Sequence, residues 1–320
     1  MESLIKLDYL FYFAGIILLI AALLILRDKT NPKRITSGLF WGFYGIIFLF
    51  GEWIPALWIG IFVVAMGVIA GLNGVGSGKV NFPPLETLQQ RANQLKNKLF
   101  IPTIIIPLIT LICAMLLKDT QINGIRLFPA KSETLAGLGV ACVLSLILAC
   151  FITRETPMQS MRETRRLFEA MSWAMLLPQL LAVLGIIFTD AGVGKSISYI
   201  TSEYMAVNNR FVAVAAYCIG MALFTMIMGN AFAAFPVITA GIGLPILVLQ
   251  HGANPAVICA IGMFSGYCGT LMTPMAANYN IVPAALLELK DKNAVIKAQI
   301  GTALPLLAVN ILLMYFFAFL

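Results

Sequence analysis

The chain has 320 residues, of which 60% are hydrophobic and only 11% are charged. Soluble domains carry about 45–50% apolar and about 25% charged residues, so this chain has too little polar surface to cover a water-soluble globule. The composition excludes a cytosolic enzyme, a nucleic-acid-binding module and a disordered scaffold. The net charge of +7 is explained by basic loops beside a bilayer and not by a nucleic-acid partner.

The apolar runs are continuous and do not alternate, which predicts membrane helices and argues against a β-barrel. One crossing needs about 20 residues. The sequence therefore predicts an all-α polytopic bundle, a single integral membrane domain over 1–320 with about ten transmembrane segments. The predicted segments are 8–26, 36–51, 54–72, 99–117, 134–153, 171–189, 207–228, 231–249, 256–273 and 300–320. They divide into possible halves 1–153 and 154–320.

Basic residues alternate between the two sides of the predicted bundle. Fifteen of the 21 Lys and Arg residues fall in the four loops 27–35, 73–98, 154–170 and 288–299. Because cytoplasmic loops carry the excess of Lys and Arg, these loops are predicted to be cytoplasmic. We expect a multi-pass protein of the bacterial inner membrane with both termini on the periplasmic side.

Sequence signatures of enzymes fail in this chain. Residues 71–79 read GLNGVGSGK, but Asn73 and Val80 stand where a phosphate-binding loop needs Gly and Ser or Thr. His251 is the only histidine, and none of the six cysteines forms a C-x-x-C pair. The sequence thus predicts a protein that is not an enzyme and has no metal centre or organic cofactor.

Two predicted interruptions of membrane helices stand out between residues 219 and 285, a stretch rich in Gly and Pro. The first, near 229–236, reads GNAFAAFP, and the second, near 269–280, reads GTLMTPMAANYN. Proline removes a backbone donor, and glycine lets the chain leave the helix. Unwound backbone at membrane depth is tolerated where it is covered by protein or lines a watery cavity, so both interruptions predict a binding site.

The chemistry of broken helices favours small ions. Exposed helix N-termini attract a carboxylate without Arg or Lys, and freed carbonyls with Asn and Thr oxygens suit sodium. The predicted substrate-binding residues are Gly229, Asn230, Gly269, Thr270 and Asn280. A possible bound sodium ion is assigned to Asn230, Thr273 and Asn278. Glycine and proline are also common in ordinary membrane helices, so a purely structural explanation of each kink stays open.

The stretches GNAFAAFPVITAGIG and GYCGTLMTPMAANYNIVPAALL, with RDKTNPKRITSG after the first segment, resemble a bacterial permease family. That family is catalogued as domain of unknown function nine-seven-nine. The resemblance implies a carrier related to the ion-transporter superfamily, working with a smaller sister membrane permease subunit on 5-oxoproline. It implies hairpin tips at 229–231 and 269–271, where Gly-Asn-Ala and Gly-Thr-Leu replace the superfamily's usual Ser-Asn-Thr runs.

Three functions remain open from the sequence. The first is a subunit of a secondary active transporter for a small carboxylate, driven by an ion gradient. The alternative is a membrane scaffold or assembly subunit of a larger complex that does not transport. An intramembrane enzyme would need a nucleophile and a base that the sequence does not display.

Overall fold

A computed structural model of the chain describes residues 3–79, 84–122, 124–130 and 132–320. Within these ranges the chain is mostly helical. The α-helices are α1 Leu7–Arg27, α2 Arg34–Phe50, α3 Ala56–Gly71, α4 Leu85–Leu95, α5 Ile101–Met115, α6 Glu133–Thr153, α7 Pro157–Met171, α8 Leu177–Asp190, α9 Val193–Tyr204, α10 Arg210–Met228, α11 Ala231–Ile238, α12 Pro255–Leu271, α13 Ile281–Leu286 and α14 Ala294–Phe317. A π-helix, Thr239–Gln250, continues α11, and a two-stranded hairpin pairs Gln121–Ile122 with Ile125–Arg126.

The helices confirm the predicted all-α polytopic bundle. Among the described residues, seven helical stretches are long and apolar enough to cross a membrane. They are Leu7–Arg27, Glu86–Met115, Glu133–Thr153, Pro157–Asp190, Arg210–Met228, Ala231–Gln250 and Ala294–Phe317. Three shorter apolar helices, α2, α3 and α12, correspond to the remaining predicted segments. The chain is therefore a multi-pass membrane protein.

The chain forms two compact units, residues 1–169 and residues 170–320. This boundary lies close to the predicted division into 1–153 and 154–320, and the relation of those halves by symmetry stays a prediction.

A partly buried polar network joins the membrane helices to their connecting loops in the first unit. Asp28 follows α1 and pairs with Arg165 of α7. Asn31 donates to the Gly76 carbonyl oxygen at 2.8 Å. Burial raises the pKa of Asp28, but hydrogen bonds from Thr30 and Arg165 outweigh that effect and hold the pKa below its ordinary value. The glycine-rich stretch after α3 is thus fastened to the loop after α1.

Helices α10 and α12 form the centre of the second unit. A β-carbon at Gly262 would lie 2.5 Å from the Tyr217 hydroxyl oxygen, and one at Gly269 would collide with the backbone of Ala222. Because residue numbers rise together along the two helices, α10 and α12 run parallel to each other. Small residues at a helix–helix interface permit this close approach of backbones.

Candidate functional site

A helix ends at the first predicted interruption, but the non-helical part is only Gly229 and Asn230, and it connects two stretches, Arg210–Met228 and Ala231–Gln250, that are each long and apolar enough to cross a membrane. Helix α10 ends at Met228, and Gly229 follows with φ at +66°, a conformation that glycine adopts without strain. Asn230 then starts α11, because its side-chain oxygen accepts from the backbone N–H of Phe232 at 2.9 Å. Residues 231–236 are helical again, and Pro236 lies inside α11.

The second interruption is also present, but it begins later than Gly269. Helix α12 continues to Leu271, and the non-helical stretch extends from Met272 to Asn280. The prediction that Gly269 breaks the helix is wrong. Gly269 is needed there because its missing side chain lets α12 contact the Ala222 backbone, not because the chain bends. The N–H groups near Gly269 belong to a continuous helix.

The two interruptions meet. A β-carbon at Gly229 would lie 2.5 Å from the Met275 carbonyl oxygen. Just before that contact, the Thr273 hydroxyl donates to the Met226 carbonyl oxygen at 2.8 Å. The end of α10 is therefore joined directly to the non-helical stretch that follows α12.

A cavity of about 140 Å³ opens where the interruptions meet. It is bounded by the start of α11, the end of α12, the stretch after α12 and one face of α8. The lining residues are Pro178, Leu181, Gly229, Asn230, Ala231, Phe232, Tyr267, Thr270, Met275, Ala276, Ala277, Asn278 and Tyr279. We call this space the junction cavity.

The structure brings four of the predicted site residues to the junction cavity, namely Gly229, Asn230, Thr270 and Asn278. Asn278 is exposed in the non-helical stretch. The Thr270 side chain donates to the Tyr267 carbonyl oxygen at 2.6 Å.

The other predicted residues do not line the cavity. Asn280 is fully buried, and its side-chain amide donates to the carbonyl oxygens of Thr270 at 2.9 Å and Thr273 at 2.6 Å. The Thr273 hydroxyl is already engaged with Met226. The structure does not bring together the three residues predicted to bind sodium. Asn230 and Asn278 line the cavity, and Thr273 does not.

Three aromatic side chains at the cavity were not singled out from the sequence. The rings of Phe232 and Tyr267 are 6.1 Å apart and nearly perpendicular, and those of Tyr267 and Tyr279 are 6.3 Å apart. Tyr267 lies three residues before Thr270, so it shares a helix face with a predicted site residue. This three-residue spacing is the feature of the sequence that could have identified Tyr267. The three rings give the cavity an aromatic side.

Among the described residues that line the cavity, none carries an ionised side chain. Its lining is neutral, and the sequence from 211 to 287 contains no Asp, Glu, Lys or Arg. The first N–H groups of a helix lack partners within that helix and carry partial positive charge. At the start of α11, beside Asn230, those groups are the positive pole available to an anion.

The seven described helical stretches that are long and apolar enough to cross a membrane place the chain in the class of multi-pass α-helical membrane proteins. Within that class the chain belongs to the family described as "Protein of unknown function (DUF979)", whose profile matches residues 8–319. No curated protein and no solved structure matches the chain.

Proposed function

We propose that this protein is a subunit of a secondary active transporter, a permease, for a small carboxylate. The observation that carries the proposal is the junction cavity, where two interrupted helices meet and a helix N-terminus faces a neutral, partly aromatic space. Helix ends and non-helical stretches within the membrane bind substrates in many secondary transporters. The bacterial inner membrane, with periplasmic termini and a smaller sister subunit as partner, belongs to the same proposal.

The size and polarity of the junction cavity support a compact monoanion. A cavity of about 150 Å³ accommodates a benzene-sized molecule, so about 140 Å³ suits a single small ring. The N–H groups of α11 favour one carboxylate. A second carboxylate would find no cationic side chain among the lining residues. 5-Oxoproline, a five-membered ring with one carboxylate, fits both conditions.

The energy for transport comes from an ion gradient in this proposal. The sequence has no nucleotide-binding motif, since the glycine-rich stretch 71–79 departs from the phosphate-loop pattern. Sodium is the coupling ion that we favour, because neutral oxygens at helix breaks suit it.

The test is uptake of radiolabelled 5-oxoproline by vesicles that contain this chain and its partner subunit, with and without an inward sodium gradient. We expect gradient-dependent uptake well above empty vesicles. Ala276→Val fills the cavity wall and should lower uptake at least several-fold, whereas Ala216→Val, on the apolar face of α10, should not. Uptake equal to that of empty vesicles would contradict the proposal.

A second candidate, a scaffold subunit without transport, is favoured by one observation. Helix α3 has a single buried residue, Met66, and β-carbons at Gly60, Gly67 and Gly71 would meet no described residue within 4 Å. Such small residues allow a partner helix to pack closely. If this function is the true one, Gly67→Leu abolishes complex formation while Ala276→Val leaves growth on the carboxylate unchanged.

A further inference from the structure

The C-terminal ends of α10 and α12 lie side by side in the second unit. The two helices run parallel, and they end at Met228 and Leu271. Each helix C-terminus carries roughly half a negative charge on its unpaired carbonyl groups. Two parallel helices therefore bring two negative poles together, and the N-terminus of α11, which begins at Ala231, is the positive pole next to them.

Residues 211–287, which include both helix ends, contain neither Lys nor Arg. Neutral hydrogen-bond donors contact the carbonyl oxygens at these helix ends. The Thr273 hydroxyl donates to the Met226 carbonyl oxygen at 2.8 Å, and the Asn280 amide donates to the Thr270 carbonyl oxygen at 2.9 Å. These bonds satisfy one carbonyl of each helix end but bring no charge.

Two buried oxygen atoms beside these helix ends lack a hydrogen-bond partner within the described part of the chain. They are the side-chain oxygens of Asn280 and Thr225, and both residues are fully buried. The Asn280 amide is held against the end of α12 by its own hydrogen bonds. The Thr225 hydroxyl faces α12, 3.3 Å from where a β-carbon of Gly266 would lie. Unpaired buried oxygens are unfavourable, and a bound ion is one of the partners that satisfies them.

We infer that a monovalent cation, sodium, binds between the C-terminal ends of α10 and α12, with the side-chain oxygens of Thr225 and Asn280 among its ligands. Helix C-terminal carbonyls complete the coordination, as they do at broken helices elsewhere. The cluster offers only neutral oxygens. Calcium and magnesium sites are usually built with carboxylates, so a single charge fits better than a double one.

This site differs from the one that the sequence predicted. Asn230 and Asn278 line the junction cavity, and the Thr273 hydroxyl is engaged with Met226. The new site lies behind the cavity wall, because Asn280 fixes the stretch that carries Ala276 and Tyr279. Cation binding would order that wall and so increase the affinity for a carboxylate. A bound carboxylate would increase the affinity for the cation by the same factor. The coupling rests on the proposed function, whereas the cation site itself does not.

The test measures sodium binding without any substrate. The purified full chain is unfolded thermally in sodium chloride, potassium chloride and choline chloride at equal ionic strength. A ligand that binds the folded state raises the midpoint, and we expect a sodium-specific rise of a few °C, on the order of 5 °C near saturation. Thr225→Val keeps the shape of the side chain and removes only the oxygen. It should abolish the sodium-specific shift, and Thr225→Ser should retain it.

Thr201→Val is the matched control, because Thr201 is a buried threonine on α9. It should keep the full sodium shift. The inference is overturned if the wild-type chain shows no sodium-specific shift, or if Thr225→Val shifts as much as wild type. A sodium shift that depends on Thr225, with no 5-oxoproline uptake, contradicts the proposed function and leaves the cation site standing. Sodium-driven uptake that Thr225→Val does not affect supports the proposed function and contradicts the cation site.

Discussion

Gly229→Ala tests the meeting of the two interrupted helices. Gly229 has φ at +66°, and its β-carbon would lie 2.5 Å from the Met275 carbonyl oxygen and 2.8 Å from the Leu181 side chain. An alanine in the left-handed conformation costs about 1–2 kcal/mol. Forcing a methyl group into a packed region adds about 1–3 kcal/mol. We therefore expect Gly229→Ala to lower the free energy of unfolding by about 2–5 kcal/mol.

Substitutions at two other glycines separate the cost of the backbone conformation from the cost of the close contact. Gly192 also has a positive φ, +70°, but its β-carbon would meet nothing within 4 Å. Gly192→Ala should thus show the conformational cost alone, about 1–2 kcal/mol. Gly67 lies inside α3 with open space around it. Gly67→Ala should be neutral or stabilise by about 0.5–1 kcal/mol, since glycine weakens a helix interior.

The assay is thermal unfolding of the purified variants in one detergent at one scan rate. A loss of 1 kcal/mol lowers the midpoint by roughly 2–4 °C for a chain of moderate size. The expected order of midpoints is Gly67→Ala, then Gly192→Ala, then Gly229→Ala as the lowest. If Gly229→Ala and Gly192→Ala unfold at the same temperature, the tight contact between the interruptions does not exist.

Two further predictions concern a helix cap and a partly buried ion pair. Asn230→Ala removes the side-chain acceptor at the start of α11 and should lower stability by about 1 kcal/mol, whereas Asn230→Ser keeps an acceptor and should stay close to wild type in thermal unfolding. Asp28 pairs with Arg165, and its folded-state pKa lies below the unfolded value of about 3.9. A lowered pKa gives stability that is complete above about pH 5 and is lost as the pH falls through the folded pKa. Asp28→Asn should therefore be less stable than wild type at pH 7. The difference in stability between the two proteins should become smaller toward about pH 3. A difference that does not change with pH would contradict the lowered pKa of Asp28.

The fold could be predicted from the sequence because lipid imposes strict rules on it. Continuous apolar runs must become helices, and the predicted segments match helices in chain order. The interruption at Gly229 was also predictable. Glycine followed by Asn, a good helix N-cap residue, indicates a helix end and a new start within two residues.

The candidate site was less predictable, because glycine has two uses that look alike in a sequence. At Gly229 it provides a positive φ, and at Gly269 it provides room for the Ala222 backbone. Only the neighbouring helix distinguishes them. Asn280 was predicted to bind the substrate, but it does not line the cavity, and its side-chain N–H groups fasten the non-helical stretch to the end of α12. The contribution of α8 through Leu181 has no local signal, since it depends on tertiary packing.

The most direct test of the account is protection of the junction cavity by the carboxylate. All six native cysteines are replaced, and a single cysteine is introduced at Asn278, which lines the cavity. We predict that 5-oxoproline slows alkylation of this cysteine by a water-soluble maleimide several-fold, and does not slow alkylation at Asn293→Cys, an exposed site ahead of α14. Equal alkylation rates at Asn278→Cys with and without saturating 5-oxoproline would contradict the claim that the carboxylate binds where the two broken helices meet.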